Sequence, residues 1–451
     1  MKEIKKISSV YFLGIGGIGM SALARYFNGN GVKVSGYDKT ATALTGKLKE
    51  EGISIHFDDD ISLIDKNAEL VVYTPAVPKD HKEYNYFLEN NYTILKRSDV
   101  LGMITKGTFS ICVAGTHGKT TTSAMIAHIL RDSGHGCNAF LGGIASNYGT
   151  NFWYSEKNVS VAEADEYDRS FLKLFPDVAV ITAMDADHLD IYGTAEKLED
   201  AFIDFAGQVK SNGLLISKFG LPRSAELKAP NKLSYSLQDK AADAHAENIK
   251  IKRGSYLFDL IINKESIKDI ELNMGGMHNI ENSIAAITVA KHIGISEEKI
   301  KAAVAAFRGV KRRFEYIIKN DKRVMVDDYA HHPEELRALI TGAKELFPGK
   351  KCTLIFQPHL FSRTKDFADG FAEVLSIADE VILLPIYPAR EKPMEEVNSE
   401  MIVARMKNKN VKVLSKEELI KEIKNTKPEF LITSGAGDID MLVEPIKEIL
   451  K

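Results

Sequence analysis

The stretch from Phe109 to Thr122 constrains the fold more than any other part of the chain. The apolar run Phe109–Ala114 has the character of a central strand in a parallel sheet, covered on both faces. It passes directly into Gly115-Thr116-His117-Gly118-Lys119-Thr120-Thr121-Thr122, and a helical pattern opens at Thr120. Strand, glycine loop and helix in that order cradle phosphate. Backbone N–H groups surround the oxygens, Lys119 neutralises those of the β and γ groups, and the Thr120 hydroxyl can ligate Mg²⁺. The longer form of this loop would need glycine where the chain has Val113, so this is the shorter G-x-x-G-K-T form.

The alternation of strand-like runs and helical patterns extends over most of the 451 residues, which marks an α/β protein with parallel sheets. At about 150 residues per domain, the length suggests three domains. Before the loop, Val10–Leu13, Val32–Tyr37, Ile53–His56 and Leu70–Tyr73 read as strands, with helices at Ser21–Gly29 and Ala41–Glu51. After it come strands Val159–Glu163 and Val178–Ile181 and a helix near Ala195–Gln208. Residues Lys218 to Asn273 are polar and Lys-rich, with short alternation such as Tyr256–Ile262, and read as an antiparallel appendage. A third series follows Arg313. Its strands are Val324–Asp328, Cys352–Phe356, Val381–Leu384 and Phe430–Thr433, with helices at Glu334–Leu346, Lys365–Ser376 and Lys416–Ile423. Breaks near Lys106 and Val310 then give domains 1–106, 107–310 and 311–451.

Composition excludes several classes. Lys+Arg 59 against Asp+Glu 62 leaves a charge of -3, so no strong basic field invites nucleic acid. With 44% hydrophobic and 27% charged residues the chain is neither collagen-like nor disordered. No apolar run reaches the about 18 residues of a membrane-spanning helix, so no membrane association is expected. Cys112, Cys137 and Cys352 form no C-x-x-C pair, which argues against a disulfide framework or zinc site and suits a reducing, cytoplasmic compartment. The basic start Met1–Lys6 and apolar stretch Ile7–Met20 imitate a leader peptide. Glu3 and the four glycines Gly14, Gly16, Gly17 and Gly19 fit a strand and a turn better.

That turn, Gly14-Ile15-Gly16-Gly17-Ile18-Gly19, is a G-x-G-x-x-G between a strand and a helix. It lets the backbone approach a pyrophosphate at the helix N-terminus, and Asp38 lies near the about 20-residue offset of an acid that holds a ribose. The residues read as a dinucleotide site without saying which nucleotide. Two acidic clusters, Glu163, Asp165, Glu166, Asp168 and then Asp185, Asp187, His188, Asp190, follow two of the strands, where an open α/β sheet places its ligand crevice. Oxygen ligands suit Mg²⁺. His278 to Asn282 opens a helix, and its amides either read a base edge or cap the helix. Arg312-Arg313 offers a cation to a γ-phosphate or is a surface pair. Asp327 to Pro333, Gln357-Pro358-His359 with Arg363, and Ser434 to Asp438 again follow strands. Two phosphate sites in successive domains, with no Ser-His-Asp or Cys-His arrangement, point to phosphoryl transfer or activation of a phosphorylated ligand.

Taken together and in order, Gly14–Gly19, Gly115–Thr122, Glu163–Asp168, Asp187-His188, His278–Asn282, Arg313 and Asp327–Pro333 resemble the Mur ligases over essentially the whole chain. The resemblance implies an N-terminal Rossmann-like domain for a UDP-sugar, a central P-loop-type ATPase domain and a C-terminal Rossmann-like domain. It implies an ATP-dependent ligase that makes an acyl phosphate on the lactyl carboxylate of UDP-N-acetylmuramate, which the amine of L-alanine attacks. Gly16, Gly17, Ile18 and Gly19 with Asp38 then hold the UDP-sugar. The loop from Gly115 through Thr121 binds ATP, and Lys119 stabilises the transferring phosphoryl group. Thr120, Glu166 and His188 hold Mg²⁺; Asn279 and Asn282 meet adenine, Asp328 the ribose and Arg313 the γ-phosphate. Tyr329, His331 and Arg363 form the amino-acid site, with Lys119, His188, Arg313 and His331 as the catalytic set. Two positions depart from the family pattern: Leu360 stands where many members have Arg, and Ala330 where they have Gly. A ligase adding a tripeptide to the same sugar differs only at the acceptor site. A nucleotide sensor without turnover would not need Lys119, Glu166 and His188 together.

Overall fold

The computed structural model describes residues 7–389 and 391–451, the side chain of Asp190 excepted. Met1–Lys6, which carry the leader-like reading, and the Asp190 carboxylate therefore lie outside the described residues.

Among the described residues, twenty-one strands form three sheets, each belonging to one α/β domain. The first is all parallel, in the order β3-β2-β1-β4-β5, with β1 Ser9–Leu13, β2 Lys33–Tyr37, β3 Ser54–His56, β4 Leu70–Tyr73 and β5 Ile94–Lys96. At the C-terminal end of β1 the chain turns at Gly14, with φ +83°, into the helix Ile18–Gly29.

The second sheet contains β6 Phe109–Ala114, β7 Asn138–Ala145, β8 Thr150–Trp153, β9 Val159–Glu163, β10 Val178–Ile181, β11 Leu214–Lys218, β12 Asn231–Ser236, β13 Ala244–Lys252, β14 Ser255–Ile262 and β15 Glu265–Leu272. Its order is β15-β14-β13-β12-β11-β10-β6-β9-β7-β8. The strand β6 lies at the centre with β9 and β10 parallel on either side, so the phosphate-loop motif and both acidic clusters emerge from adjacent strand ends. The antiparallel reading of Lys218–Asn273 is corrected here: β12 pairs parallel with both β11 and β13. Its half-exposed residues lack the apolar run by which a parallel strand is recognised. Only two residues separate β13 from β14, and likewise β14 from β15, which is hairpin geometry because parallel partners need a crossover.

The third sheet has β16 Glu315–Lys319, β17 Val324–Asp328, β18 Cys352–Phe356, β19 Glu380–Leu383, β20 Val411–Val413 and β21 Phe430–Ser434, in the order β16-β17-β21-β18-β19-β20. All pairs are parallel except β16 with β17. The expected helix Lys365–Ser376 is two, Phe361–Asp366 and Ala368–Leu375, broken where Phe367 leaves helical geometry. The three cysteines are unbonded and buried in the strands or beside them.

These sheets are divided between two compact units. One holds the chain up to Glu247 with Leu260–Lys268 and Glu281–Val304; the other holds Asn248–Asp259, Asp269–Ile280 and Ala305–Lys451. Within the first unit, one hydrophobic cluster runs from Phe12 and Phe27 through Phe140, Phe152 and Phe171 to Phe202. The helix Ile18–Gly29 is clamped on the β7–β8 hairpin. Tyr26 lies edge-on or tilted against Phe140 and Phe152, and Asn151 donates to the Ile18 carbonyl at 2.6 Å while accepting from Arg25 Nη1 at 2.6 Å. The buried Arg25 also forks onto Glu51. Truncating it strands a buried amide and a carboxylate, so Arg25→Ala is expected to cost about 2 kcal/mol, read as a lower urea midpoint with an unchanged slope.

Candidate active site

The phosphate loop leaves β6 at Gly115, whose φ of +136° suits glycine alone. A Cβ there would collide with the Thr182 side chain. The Thr182 hydroxyl in turn packs against the carbonyl oxygens of Ala114 and His117, so the residue just after β10 shapes the loop. Gly118, at φ +81°, caps the helix Lys119–Asp132, and a Cβ on it would lie 2.7 Å from Asn282 Oδ1. Asn282, on the helix Met277–His292, also meets the Thr122 hydroxyl at 3.3 Å. Thr116 is fixed through Ala183 and its hydroxyl receives the Asp185 N–H.

Lys119 Nζ donates to the Gly115 carbonyl and to Glu166 Oε1, each at 2.8 Å. Glu166 is fully buried, and its backbone carbonyl accepts from Tyr192 at 2.6 Å. Its Oε2 is buried without a hydrogen bond although it faces the Lys119 ammonium at 2.8 Å. His188 Nε2 approaches Glu166 at 3.6 Å and Asp187 at 3.7 Å. One ligand atom from each of Glu166, Asp187 and His188 lies within 4.8 Å of the others. Two carboxylates and an imidazole converging on a carboxylate oxygen with spare capacity fit a divalent cation. The sequence reading expects Glu166 and His188 as ligands, and Asp187 lies in the same cluster. Thr120, the third expected ligand, gives its hydroxyl to Glu163 Oε1 at 2.9 Å. His117 is exposed, 3.9 Å from Asp185. Backbone strain collects here: His188, Asp168 and Arg169 all have φ between +50° and +59°.

The glycine turn lies in the same unit. Gly16 N–H donates to Asp38 Oδ2 at 2.7 Å, so Asp38 braces the turn in this structure. A Cβ on Gly16 would fall 2.8 Å from that oxygen and one on Gly19 2.7 Å from Arg97 Nη1.

In the second unit, Asp327 and Asp328 end β17. Asp328 accepts from the N–H groups of Phe314 at 2.6 Å and Ala330 at 2.7 Å, which fixes the turn carrying Tyr329. Burial pushes Asp328 up to about 6 and Asp327, bonded by Thr433 and flanked by Arg312, up to about 7. Arg312 reaches across Tyr329, whereas Arg313 is exposed and its guanidinium makes no hydrogen bond among the described residues. His331 lies near His359, with ring centroids 6.3 Å apart, and Arg363 Nη1 is 3.3 Å from His359 Nδ1. Burial and the neighbouring Arg363 lower His359. Leu360, at φ +70°, holds a backbone geometry that is costly for leucine, beside this cluster. Asn279 donates to the Gly275 carbonyl at 2.7 Å. The expected site residues thus form two clusters. Lys119, Thr120, Glu166, His188 and Asn282 gather in the first unit; Arg313, Asp328, Tyr329, His331 and Arg363 belong to the second. Sequence reasoning missed Thr182 and Gly142, whose N–H holds Glu163 Oε2 at 2.9 Å; a threonine directly after a strand adjacent to the loop strand was the available signal.

A phosphate loop on the central strand of a largely parallel sheet, a second glycine turn in the neighbouring domain and a carboxylate–imidazole cluster between strand ends fit a nucleotide-dependent enzyme of three α/β domains. The chain belongs to the Mur ligase family. Family models match almost end to end: the Mur ligase family, catalytic domain over residues 9–108, the Mur ligase middle domain over 113–290 and the Mur ligase, glutamate ligase domain over 312–437. UDP-N-acetylmuramate–L-alanine ligase of Flavobacterium johnsoniae is 51% identical over 99% of both chains. The enzyme of the same name from Parabacteroides distasonis is 49% identical, covering 99% of this chain and 98% of its own. The crystal structure of UDP-N-acetylmuramate-alanine ligase MurC from Thermotoga maritima superposes with a TM-score of 0.80 at 28% identity, covering 98% of each chain. A murein peptide ligase from Psychrobacter arcticus shares the fold, with a TM-score of 0.65 at 23% identity.

The raised carboxyl of Asp327 makes a pH prediction. The folded state holds this proton up to about pH 7, while the unfolded chain releases it near pH 4. Its contribution is therefore complete below pH 4 and is lost as pH rises toward 7, at up to about 1.4 kcal/mol per unit. Asp327→Asn is expected to flatten that decline in denaturant midpoints measured from pH 4 to 7.

Proposed function

We propose that this chain is an ATP-dependent ligase that joins L-alanine to the lactyl carboxylate of UDP-N-acetylmuramate, in the assembly of peptidoglycan precursors in the cytoplasm. The observation that carries the reading is the Lys119 ammonium set against Glu166, Asp187 and His188 at the mouth of the phosphate loop. The choice of alanine rests on the names of relatives about half identical over the full length. Domains 1–106, 107–310 and 311–451 divide the work: nucleotide sugar, ATP, and amino acid with part of ATP.

In this reading the Gly115–Thr121 backbone holds the ATP phosphates and Lys119 stabilises charge developing on the transferred γ-phosphoryl group. Glu166 and His188, joined by Asp187 and by Thr120 once its hydroxyl leaves Glu163, would hold Mg²⁺. The ion would neutralise phosphate charge there. The lactyl carboxylate displaces ADP to give an acyl phosphate, and the alanine amine then attacks the acyl carbon and expels phosphate. Asn279 and Asn282 serve adenine, Asp328 the ribose and Arg313 the γ-phosphate. Tyr329, His331 and Arg363 position alanine, Arg363 by pairing with its carboxylate.

Phosphate release from ATP should require both the sugar nucleotide and L-alanine, and Lys119→Ala should lower kcat by at least about 100-fold. Release with a tripeptide acceptor but not with L-alanine would move the assignment to a murein-peptide ligase.

A further inference from the structure

Arg97 is a cation that neither the fold nor the ATP site uses. It opens the helix Arg97–Gly107 directly after β5. Its guanidinium lies against the first turn of the helix Ile18–Gly29: a Cβ on Gly19 would fall 2.7 Å from Nη1, 3.0 Å from Cδ and 3.3 Å from Cζ. A side chain at position 19 would oblige the Arg97 side chain to move.

The side chain is half-buried, yet it has neither a hydrogen bond nor an ion pair among the described residues. The acids nearby are engaged elsewhere. Asp99, two residues on, is paired with Lys173. Glu163 and Asp165 line the same cleft as Arg97, but Glu163 accepts from Thr120 and Gly142, and Asp165 from the Tyr167 N–H. Removing a guanidinium from water without a partner is costly, and the planar fork matches phosphate oxygens two at a time. The first N–H groups of the adjoining helix have no intrahelical acceptor and favour the same charge.

We propose that Arg97 binds the diphosphate of the nucleotide sugar, as the side-chain partner of the Gly16–Gly19 turn. The inference rests on the assignment of that turn to UDP-N-acetylmuramate. It places a charged contact to the diphosphate at the start of the helix that follows β5, outside the glycine motif.

The test is calorimetric binding of UDP-N-acetylmuramate, and of UDP alone, to the full-length wild type, Arg97→Ala and Arg97→Lys. Arg97→Ala should weaken both ligands by about 10- to 100-fold and flatten the salt dependence of their affinity. Arg97→Lys should recover part of the loss, and ATP affinity and the thermal midpoint should stay at wild-type values. Unchanged affinity for both uridine ligands would overturn the proposal. A loss confined to UDP-N-acetylmuramate would overturn it too, by giving Arg97 to the lactyl carboxylate. A wild type that binds ATP but neither uridine ligand would instead remove the assignment of the turn itself.

Discussion

The ion pair between Lys119 and Glu166 is the interaction on which the central domain turns. Glu166 is fully buried, and a buried carboxylate is tolerated only with charge or hydrogen bonds to meet it. Lys119 meets it from the start of the helix that follows β6, His188 from the loop after β10, and Glu166 itself follows β9. Three neighbouring strand ends are thereby tied at one point. The pair also holds the Lys119 ammonium over the glycine loop through the Gly115 carbonyl, where a phosphate would compete for it. A cation binding at Glu166 and a phosphate binding at Lys119 would separate the same two partners, so the two ligands favour each other's binding.

The second constraint is the packing of the first helix on the β7–β8 hairpin. Because Arg25, Asn151 and Tyr26 join the first helix to the β7–β8 hairpin within one compact unit, the glycine turn and the phosphate loop share a common support. A reaction between a group anchored at one site and a phosphoryl group anchored at the other gains from such shared placement.

Much of this was legible in the sequence because the decisive signals are local. Phe109–Ala114, Val159–Glu163, Val178–Ile181 and Val324–Asp328 are apolar runs that end in chemistry-bearing loops, and all four are strands with those bounds. The β7–β8 hairpin was hidden because Gly142 and Gly143 break the β pattern. Gly142 is there for its N–H to Glu163, a contact 21 residues away, and a side chain on it would strike that carboxylate. The parallel strand Asn231–Ser236 was hidden by its exposed lysine and asparagine. Thr182 and Arg97 carry no motif at all; each lies beside a glycine distant in sequence.

The central claim is that Glu166 belongs to a cation site that serves the phosphate loop. The direct measurement is ATP affinity as a function of Mg²⁺ concentration in the wild type and in Glu166→Gln, which preserves shape and removes the charge. Affinity is expected to rise with Mg²⁺ in the wild type, and this dependence to be largely lost in the variant. The same Mg²⁺ dependence in both proteins would contradict the claim.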